Sequence, residues 1–286
     1  MIKILIAGST GTLGYGLNNY MSALNRYKII QHGFKNASKF NINFTKKNDV
    51  LKFLKDIKPD IIINLCCLSN VDECEKKLHK ALEYNSEIIK NLNLWAVENN
   101  SKIIHLSTDQ VYDKKDHYNK EEETNIKNNY AYSKFIGEKN LNKENCCILR
   151  TNFFGYSKSK KTLNEWLLNS IEKENDIDLF YDVQFNPVLM DTLYECIDYI
   201  IQNFRGGIFN FGCEIGLAKS EFCKLLLKKL NINYNKIKLV SVDQSELFAY
   251  RPKGMMMNNQ KFINNFNFKI PNINEEIKKY IQNYCN

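Results

Sequence analysis

The chain has 286 residues, 44% of them hydrophobic and 25% charged, with a formal charge of +8. That balance describes a globular protein with a sizeable core, and no apolar run approaches the length that crosses a bilayer. The lysines are scattered over stretches such as KKLHK and CKLLLKKLN rather than gathered into a stripe with aromatics. This argues against a nucleic-acid partner and leaves attraction of anionic small molecules. The opening MIKILIAGSTGTLGYG runs into glycines after a short apolar stretch, unlike a signal peptide, so a cytoplasmic protein is expected. The nine cysteines form no CxxC pair, and the doublets Cys66-Cys67 and Cys146-Cys147 lie in apolar runs. Free thiols are expected, with no disulfide framework and no metal site.

In chain order, IKILIA (2–7), YKIIQHGF (27–34), DIIINLCC (60–67), KIIHLST (102–108) and NCCILR (145–150) read as strands. Several are apolar at nearly every position, as in a sheet covered on both faces. Between them, 12–25, 47–57, 78–99 and 130–142 carry helical periodicity. The alternation predicts an α/β fold built on a doubly wound parallel sheet. Beyond residue 151 the pattern loosens into helices at 161–173, 189–204 and 218–230, strands at 177–181, 207–211 and 237–241, and a last helix at 274–284. The expected organisation is a first domain over 1–151, completed by segments near 188–212, and a smaller C-terminal substrate lobe made mainly of 152–187 and 213–286.

The first strand runs directly into GSTGTLG, with glycines at 8, 11 and 14. A dinucleotide diphosphate needs close backbone, helix N–H groups facing it and no Cβ in the way. Gly8 suits the tight turn, Gly11 the close approach and Gly14 the helix-to-sheet contact; Thr10, Thr12 and Leu13 complete the loop. After the second strand, QHGFKNASK has no carboxylate to grip a ribose 2′-hydroxyl. Lys35 or His32 could instead meet a 2′-phosphate, so NADP(H) is preferred, with NAD(H) still open.

Ser107 and Thr108 close the fourth strand, at the carboxyl end where open α/β sheets bind ligands. In YAYSK (130–134), a helix places Tyr130 on one face with Lys134, while Tyr132 points elsewhere. An ammonium beside a phenol pulls its pKa down from about 10 toward a useful range. A hydroxyl, a tuned phenol and a lysine are three parts of a carbonyl-reduction site; the hydride must come from a nicotinamide.

Taken together, these stretches resemble the extended short-chain dehydrogenase/reductases, and most closely the dTDP-4-dehydrorhamnose reductase family. Gly8, Gly11 and Gly14 match its GxxGxxG turn; INLCCLSNVDECE matches its Asn-containing strand end and VDxxE stretch through Asn64, Asp72 and Glu75. STDQVYD, YAYSKFIGE, LRTNFFG (one residue short) and RPKGMMMNNQK follow in the family's order. The resemblance implies a Rossmann domain with a substrate lobe, Tyr130 as proton donor, Lys134 as its ribose-binding partner and Thr108 as the hydroxyl that orients the carbonyl. It implies Asn64, Leu65 and Cys66 along the cofactor, and treats Ser107, Arg150 and Thr151 as residues of either cofactor contact or structure.

The resemblance also narrows the reaction. Related dehydratases carry Thr-Asp-Glu where this chain has Thr108-Asp109-Gln110, and related epimerase/reductases carry a cysteine where Asp109 stands. Simple carbonyl reduction passes both comparisons. The expected reaction is NADPH-dependent reduction of a 4-keto group on a nucleotide-linked deoxysugar, for surface polysaccharide. Asp109, Gln184, Asn186 and Arg251 are expected to contact the substrate, and Tyr156 or Trp166 to stack on it, although helix packing accounts for Trp166 equally well. An NAD-dependent sugar-nucleotide epimerase and a non-catalytic cofactor-binding subunit are the alternatives, and a homodimer is left open.

Overall fold

The protein is described here by a computed structural model covering residues 1–33, 40–158 and 162–285. In chain order its elements are β1 (Ile2–Ala7), α1 (Thr12–Ala23), β2 (Tyr27–Gly33), β3 (Phe40–Asn41), α2 (Lys47–Ile57), β4 (Ile61–Asn64), α3 (Val71–Lys76), α4 (Leu78–Leu82), a π-helical turn (Glu83–Glu87), α5 (Ile88–Glu98), β5 (Lys102–Thr108), α6 (Asn129–Lys139) and β6 (Cys146–Thr151). There follow β7 (Phe153–Phe154), α7 (Leu163–Glu172), β8 (Ile177–Phe180), β9 (Gln184–Phe185), β10 (Val188–Leu189), α8 (Met190–Gln202), β11 (Gly207–Phe211), β12 (Leu217–Ala218), α9 (Lys219–Lys229), β13 (Ile237–Val240), α10 (Gln260–Asn265) and α11 (Ile273–Tyr284).

Seven strands form one sheet in the order β11-β6-β5-β4-β1-β2-β3. The pairings β1–β2, β1–β4, β4–β5 and β2–β3 are parallel. The chain moves outward to one side of β1 and then returns to build the other, so the ends of β1 and β4 form a switch point where a ligand crevice is expected. Ile4, Leu5, Ile6, Ile62, Ile63, Ile103 and Ile104 are completely buried. This explains why β1, β4 and β5 are apolar without alternation: helices cover both faces. One covering layer joins Val50, Phe53 and Leu54 of α2 to Ile88, Leu92 and Trp95 of α5.

The chain divides into two compact units. The first holds Met1–Thr108, Asn128–Arg150 and Tyr194–Phe209; the second holds Asp109–Lys127, Thr151–Leu193 and Asn210–Asn286. Asp109–Lys127, expected with the first domain, therefore belongs to the second unit. That segment has little helical or strand periodicity, and its partners are distant in sequence: Asn119 N donates to Met256 O at 2.8 Å, and Lys114 N to Gly254 O at 3.1 Å. The second unit is built from short strand pairs, β10 with β7, β12 with β9 and β13 with β8. Phe222 packs edge-on against Phe154 and Phe185 at centroid separations of 4.9 and 5.8 Å, forming part of its core.

The long helix expected over 78–99 is instead α4, the π-helical turn and α5, preceded by α3. A π turn inside a helix commonly marks a constrained site. Here Asn85 lies in it and bridges three segments: Leu68 N donates to its Oδ1 at 2.7 Å, and its Nδ2 donates to Leu68 O at 3.1 Å and Ser133 Oγ at 2.9 Å. All nine cysteines are free thiols.

Candidate active site

The cofactor cradle begins where β1 stops. Gly8 has φ +86°, a left-handed conformation that a Cβ disfavours. Its N–H and that of Ser9 both donate to His32 O, at 3.1 and 2.8 Å. A Cβ on Gly14 would lie 2.1 Å from Gly8 O, so α1 can approach the turn this closely only with glycine there. α1 has Gly11 as its N-cap, no side-chain cap and no acid in its first turn. Its leading N–H groups are thus suited to an anion. A cavity of about 200 Å³ runs past Gly8, Thr10 and Gly11 to Leu65, Cys66 and Cys67, with Phe44 also in its wall. The glycine cradle and the uncapped helix end fit a dinucleotide diphosphate. Thr10 is exposed and Thr12 half-buried, whereas Leu13 is buried and faces such a ligand with backbone alone.

His32 cannot serve as the cation for a 2′-phosphate. Its Nε2 lies 2.8 Å from Ile42 O, Nδ1 lies 3.4 Å from Gly8 N, and the ring stacks on Phe44 with centroids 3.5 Å apart. A carbonyl needs Nε2–H and an N–H needs a lone pair on Nδ1, so the ring is neutral. Burial lowers its pKa to about 4. Lys35, the other expected cation, lies outside the described residues.

At the end of β4, Leu65 N extends the ladder to Ala7 O at 2.9 Å. The buried Asn64 side chain accepts from Cys66 N at 3.3 Å and meets the His105 ring. The Cys66 and Cys67 thiols are both pushed up by burial, Cys66 to about 12; the Lys134 ammonium opposes the rise in each, and Cys67 is hydrogen-bonded to Tyr130.

α6 is held firmly at its start. Asn128 caps it, accepting from Ala131 N at 2.8 Å. Glu75 accepts from Asn129 N at 2.8 Å, tying α3 to the same turn. Further along, Gly137 lets α6 run against the π turn, because a Cβ there would lie 2.3 Å from Asn85 O. On this helix Lys134 is 2% exposed, Tyr130 half-buried and Tyr132 41% exposed. Lys134 Nζ donates to Leu106 O at 2.6 Å, which sets the ammonium against the last residues of β5. Thr108 is buried at that strand end. Ser107 donates instead to Glu138 Oε1 at 2.5 Å, a structural bond.

In the second unit the expected substrate residues fare differently. Asn186 is fully buried and its three amide hydrogen bonds all go to backbone: Nδ2 donates to Cys213 O and Met257 O at 3.0 Å each, and Oδ1 accepts from Met257 N at 3.0 Å. It is a strut, contrary to the expected sugar contact. Gln184 closes a two-bond ring with Asp116, donating to its Oδ1 at 2.7 Å and accepting its N–H at 2.8 Å. Asp109 is buried and accepts from Asn152 Nδ2 at 2.7 Å. Arg251 is half-buried, with Nη1 donating to Ala249 O at 2.8 Å. Trp166 is 42% exposed, so helix packing does not account for it. Tyr156, also exposed, stacks on Tyr284 with centroids 5.3 Å apart.

One residue of this unit escaped the sequence reading. Lys219, at the start of α9, sits within electrostatic reach of Asp109 and Arg251; burial depresses its pKa, Asp109 opposes the shift and Arg251 adds to it. In sequence it is one lysine among many, and only its place after β12 distinguishes it.

A dTDP-4-dehydrorhamnose reductase of Shigella flexneri is 22% identical over 295 aligned positions, covering 98% of this chain and 97% of the relative. The crystal structure of a dTDP-4-dehydrorhamnose reductase from Clostridium acetobutylicum superposes with a TM-score of 0.90 at 23% identity, covering all of both chains. The reductase of Bacillus anthracis, solved in complex with NADP, gives a TM-score of 0.85 at 22% identity over 99% of this chain and all of that one. The family model of the RmlD substrate binding domain matches residues 2–286, essentially end to end, and the chain belongs to that family.

Proposed function

We propose that the protein is an NADPH-dependent reductase that converts the 4-keto group of a nucleotide-linked deoxysugar to an alcohol, in the cytoplasmic synthesis of surface polysaccharide. The observation that supports this reading is the Lys134 ammonium, four residues after Tyr130 on α6, anchored to β5 at Leu106 O, in a unit whose glycine turn suits a dinucleotide. Full-length family membership supports the substrate class, and the relative solved with NADP supports the cofactor.

In this reading Gly8, Gly11 and the first N–H groups of α1 hold the diphosphate, and the ends of β1 and β4 hold the backbone side of the cofactor. NADPH, when bound, supplies the hydride. Lys134 binds the ribose and favours ionisation of the Tyr130 phenol. Tyr130 transfers its proton to the carbonyl oxygen as that oxygen gains charge, and Thr108 steadies the same oxygen by hydrogen bonding. The neutral Gln110 cannot act as the second acid that dehydration requires. Arg251, half-buried, offers its guanidinium to the nucleotide-sugar.

The test is a panel of nucleotide-linked 4-keto sugars read by loss of NADPH absorbance, repeated with NADH and with the Tyr130→Phe enzyme. Turnover with NADPH that falls by about 10²–10⁴ in Tyr130→Phe, while NADPH binding is kept, is the expected result. Undiminished turnover in Tyr130→Phe rules out the assigned acid. A tightly retained NAD with no net use of added NADPH marks an epimerase, and binding without turnover marks a regulatory subunit.

A further inference from the structure

His32 lines the cofactor cavity together with Ile42, Asn43 and Phe44, the residues that follow β3. This wall is irregular backbone. The ladder of β2 with β3 pairs His32 with Phe40 and Gly33 with Asn41, and it ends there. The next carbonyl, that of Ile42, is met by a side chain: the His32 ring, whose Nε2–H donates to it at 2.8 Å. The same ring lies flat on Phe44, with planes 9° and centroids 3.5 Å apart. Asn91, from α5, holds the far end of the wall, its Nδ2 donating to Phe44 O at 3.1 Å. Asn43 closes the segment on itself, its Oδ1 accepting from Thr45 N at 3.1 Å and from Thr45 Oγ1 at 2.9 Å.

One arrangement of the ring's hydrogen serves all of these contacts. Nε2 carries it for Ile42 O, so Nδ1 keeps a lone pair. That lone pair faces Gly8 N at 3.4 Å, whose hydrogen is shared with His32 O at 3.1 Å. The shorter bond, to Ile42 O, is the firm one. A single side chain thus spans from the glycine turn to the 42–44 wall. Packing alone would be served by any flat ring on Phe44; the donor at Nε2 is the part that packing does not need. In a doubly wound sheet the diphosphate lies at the start of the first helix and its ribose by the end of the second strand. The 42–44 wall therefore borders the adenosine half of a dinucleotide.

We infer that His32 is a positioning residue for the cofactor: its Nε2–H, through Ile42 O, presets the 42–44 wall against which the adenosine half of a dinucleotide rests. The inference rests on the reading of this cavity as a dinucleotide site. With the donor gone, Ile42 O loses a fixed partner and the ligand itself must order the wall. The cost of that ordering is subtracted from binding, so affinity falls although the ligand touches the same atoms.

The test measures binding alone, well below the thermal midpoint, with NADPH by fluorescence and adenosine 2′,5′-bisphosphate by calorimetry. Two variants divide the properties of the ring. His32→Phe keeps a ring to stack on Phe44 but has no donor; His32→Gln has no ring but carries an amide N–H at the reach of Nε2. His32→Phe should bind both ligands roughly five- to tenfold more weakly, the loss of one hydrogen bond. The factor should be the same for both, because the effect sits in the half they share. His32→Gln should restore most of the affinity. If His32→Phe does not fold, His32→Leu, also without a donor, takes its place. Undiminished binding in the variant without a donor, or weaker binding in His32→Gln than in that variant, would overturn the inference and leave His32 as packing. Weakened NADPH with an unmoved bisphosphate would overturn it too, by placing the effect outside this wall. A wild-type protein that binds neither ligand would instead sink the dinucleotide site itself.

Discussion

Glu138 and Arg150 form a buried two-bond ion pair: Arg150 Nε donates to Glu138 Oε1 at 2.9 Å and Nη2 to Oε2 at 2.6 Å, with both side chains 1% exposed. Ser107 adds a third bond to the same carboxylate. The pair joins the helix that carries Tyr130 and Lys134 to β5 and β6, so the final glutamate of YAYSKFIGE and the arginine of LRT serve one joint. Removing one partner leaves an uncompensated charge in a dry place. Arg150→Met should therefore destabilise the protein by about 3–5 kcal/mol, read as a lower urea midpoint. Replacing both partners, as in Glu138→Leu with Arg150→Met, should cost less than Arg150→Met alone. A double variant as unstable as the sum of the singles would show that the two do not act as a pair.

The glycines of the first turn should separate by role. Gly14→Ala forces a Cβ to within 2.1 Å of backbone oxygen and should cost more than about 4 kcal/mol, the range reserved for core disruption. Gly11 has an ordinary φ of −75°, and its Cβ would meet Gly8 O at 3.3 Å. Gly11→Ala should thus fold, with a thermal midpoint near wild type, yet bind NADPH at least about tenfold more weakly. Equal loss of fold in both variants would argue that Gly11 is a packing position.

His32 predicts an acid sensitivity. Its native pKa of about 4 lies below the unfolded value of 6.5, so as pH falls through 6.5 the unfolded chain takes up the proton first. The stabilisation is complete above 6.5, declines down to about 4 and then levels off. Two and a half units correspond to roughly 3 kcal/mol. His105 acts in the same sense. Urea unfolding of wild type and His32→Gln at pH 7.5 and 4.5 checks this: the difference between the two proteins should shrink at the lower pH. A constant difference would mean that the ring takes up its proton at the same pH in the native and unfolded chains.

In the second unit, Lys219 and Arg251 place two cations around one buried carboxylate, Asp109. The surplus positive charge suits a nucleoside diphosphate. Lys219→Met should raise KM for the nucleotide sugar about tenfold, the loss of a charged hydrogen bond, while KM for NADPH and the thermal midpoint stay near wild type. A normal sugar-nucleotide KM would confine Lys219 to balancing Asp109.

Read from sequence alone, the chain already declared its doubly wound sheet, because apolar runs of strand length alternating with 3.6-residue periodicity are local signals. The glycine turn and the face shared by Tyr130 and Lys134 were legible for the same reason: they depend on neighbours within a few positions. The tertiary structure alone decided which polar residues serve the fold. Asn186 reads in sequence like any exposed amide, but its partners, Cys213 and Met257, stand 27 and 71 residues away. Ser107 and Thr108 are adjacent hydroxyls, and only the arrival of Glu138 from α6 assigns Ser107 to structure. Lys219 gave no local sign. A polar side chain carries the same letter whether it faces a ligand, a backbone carbonyl or another helix, and only folding brings up the partner that settles which.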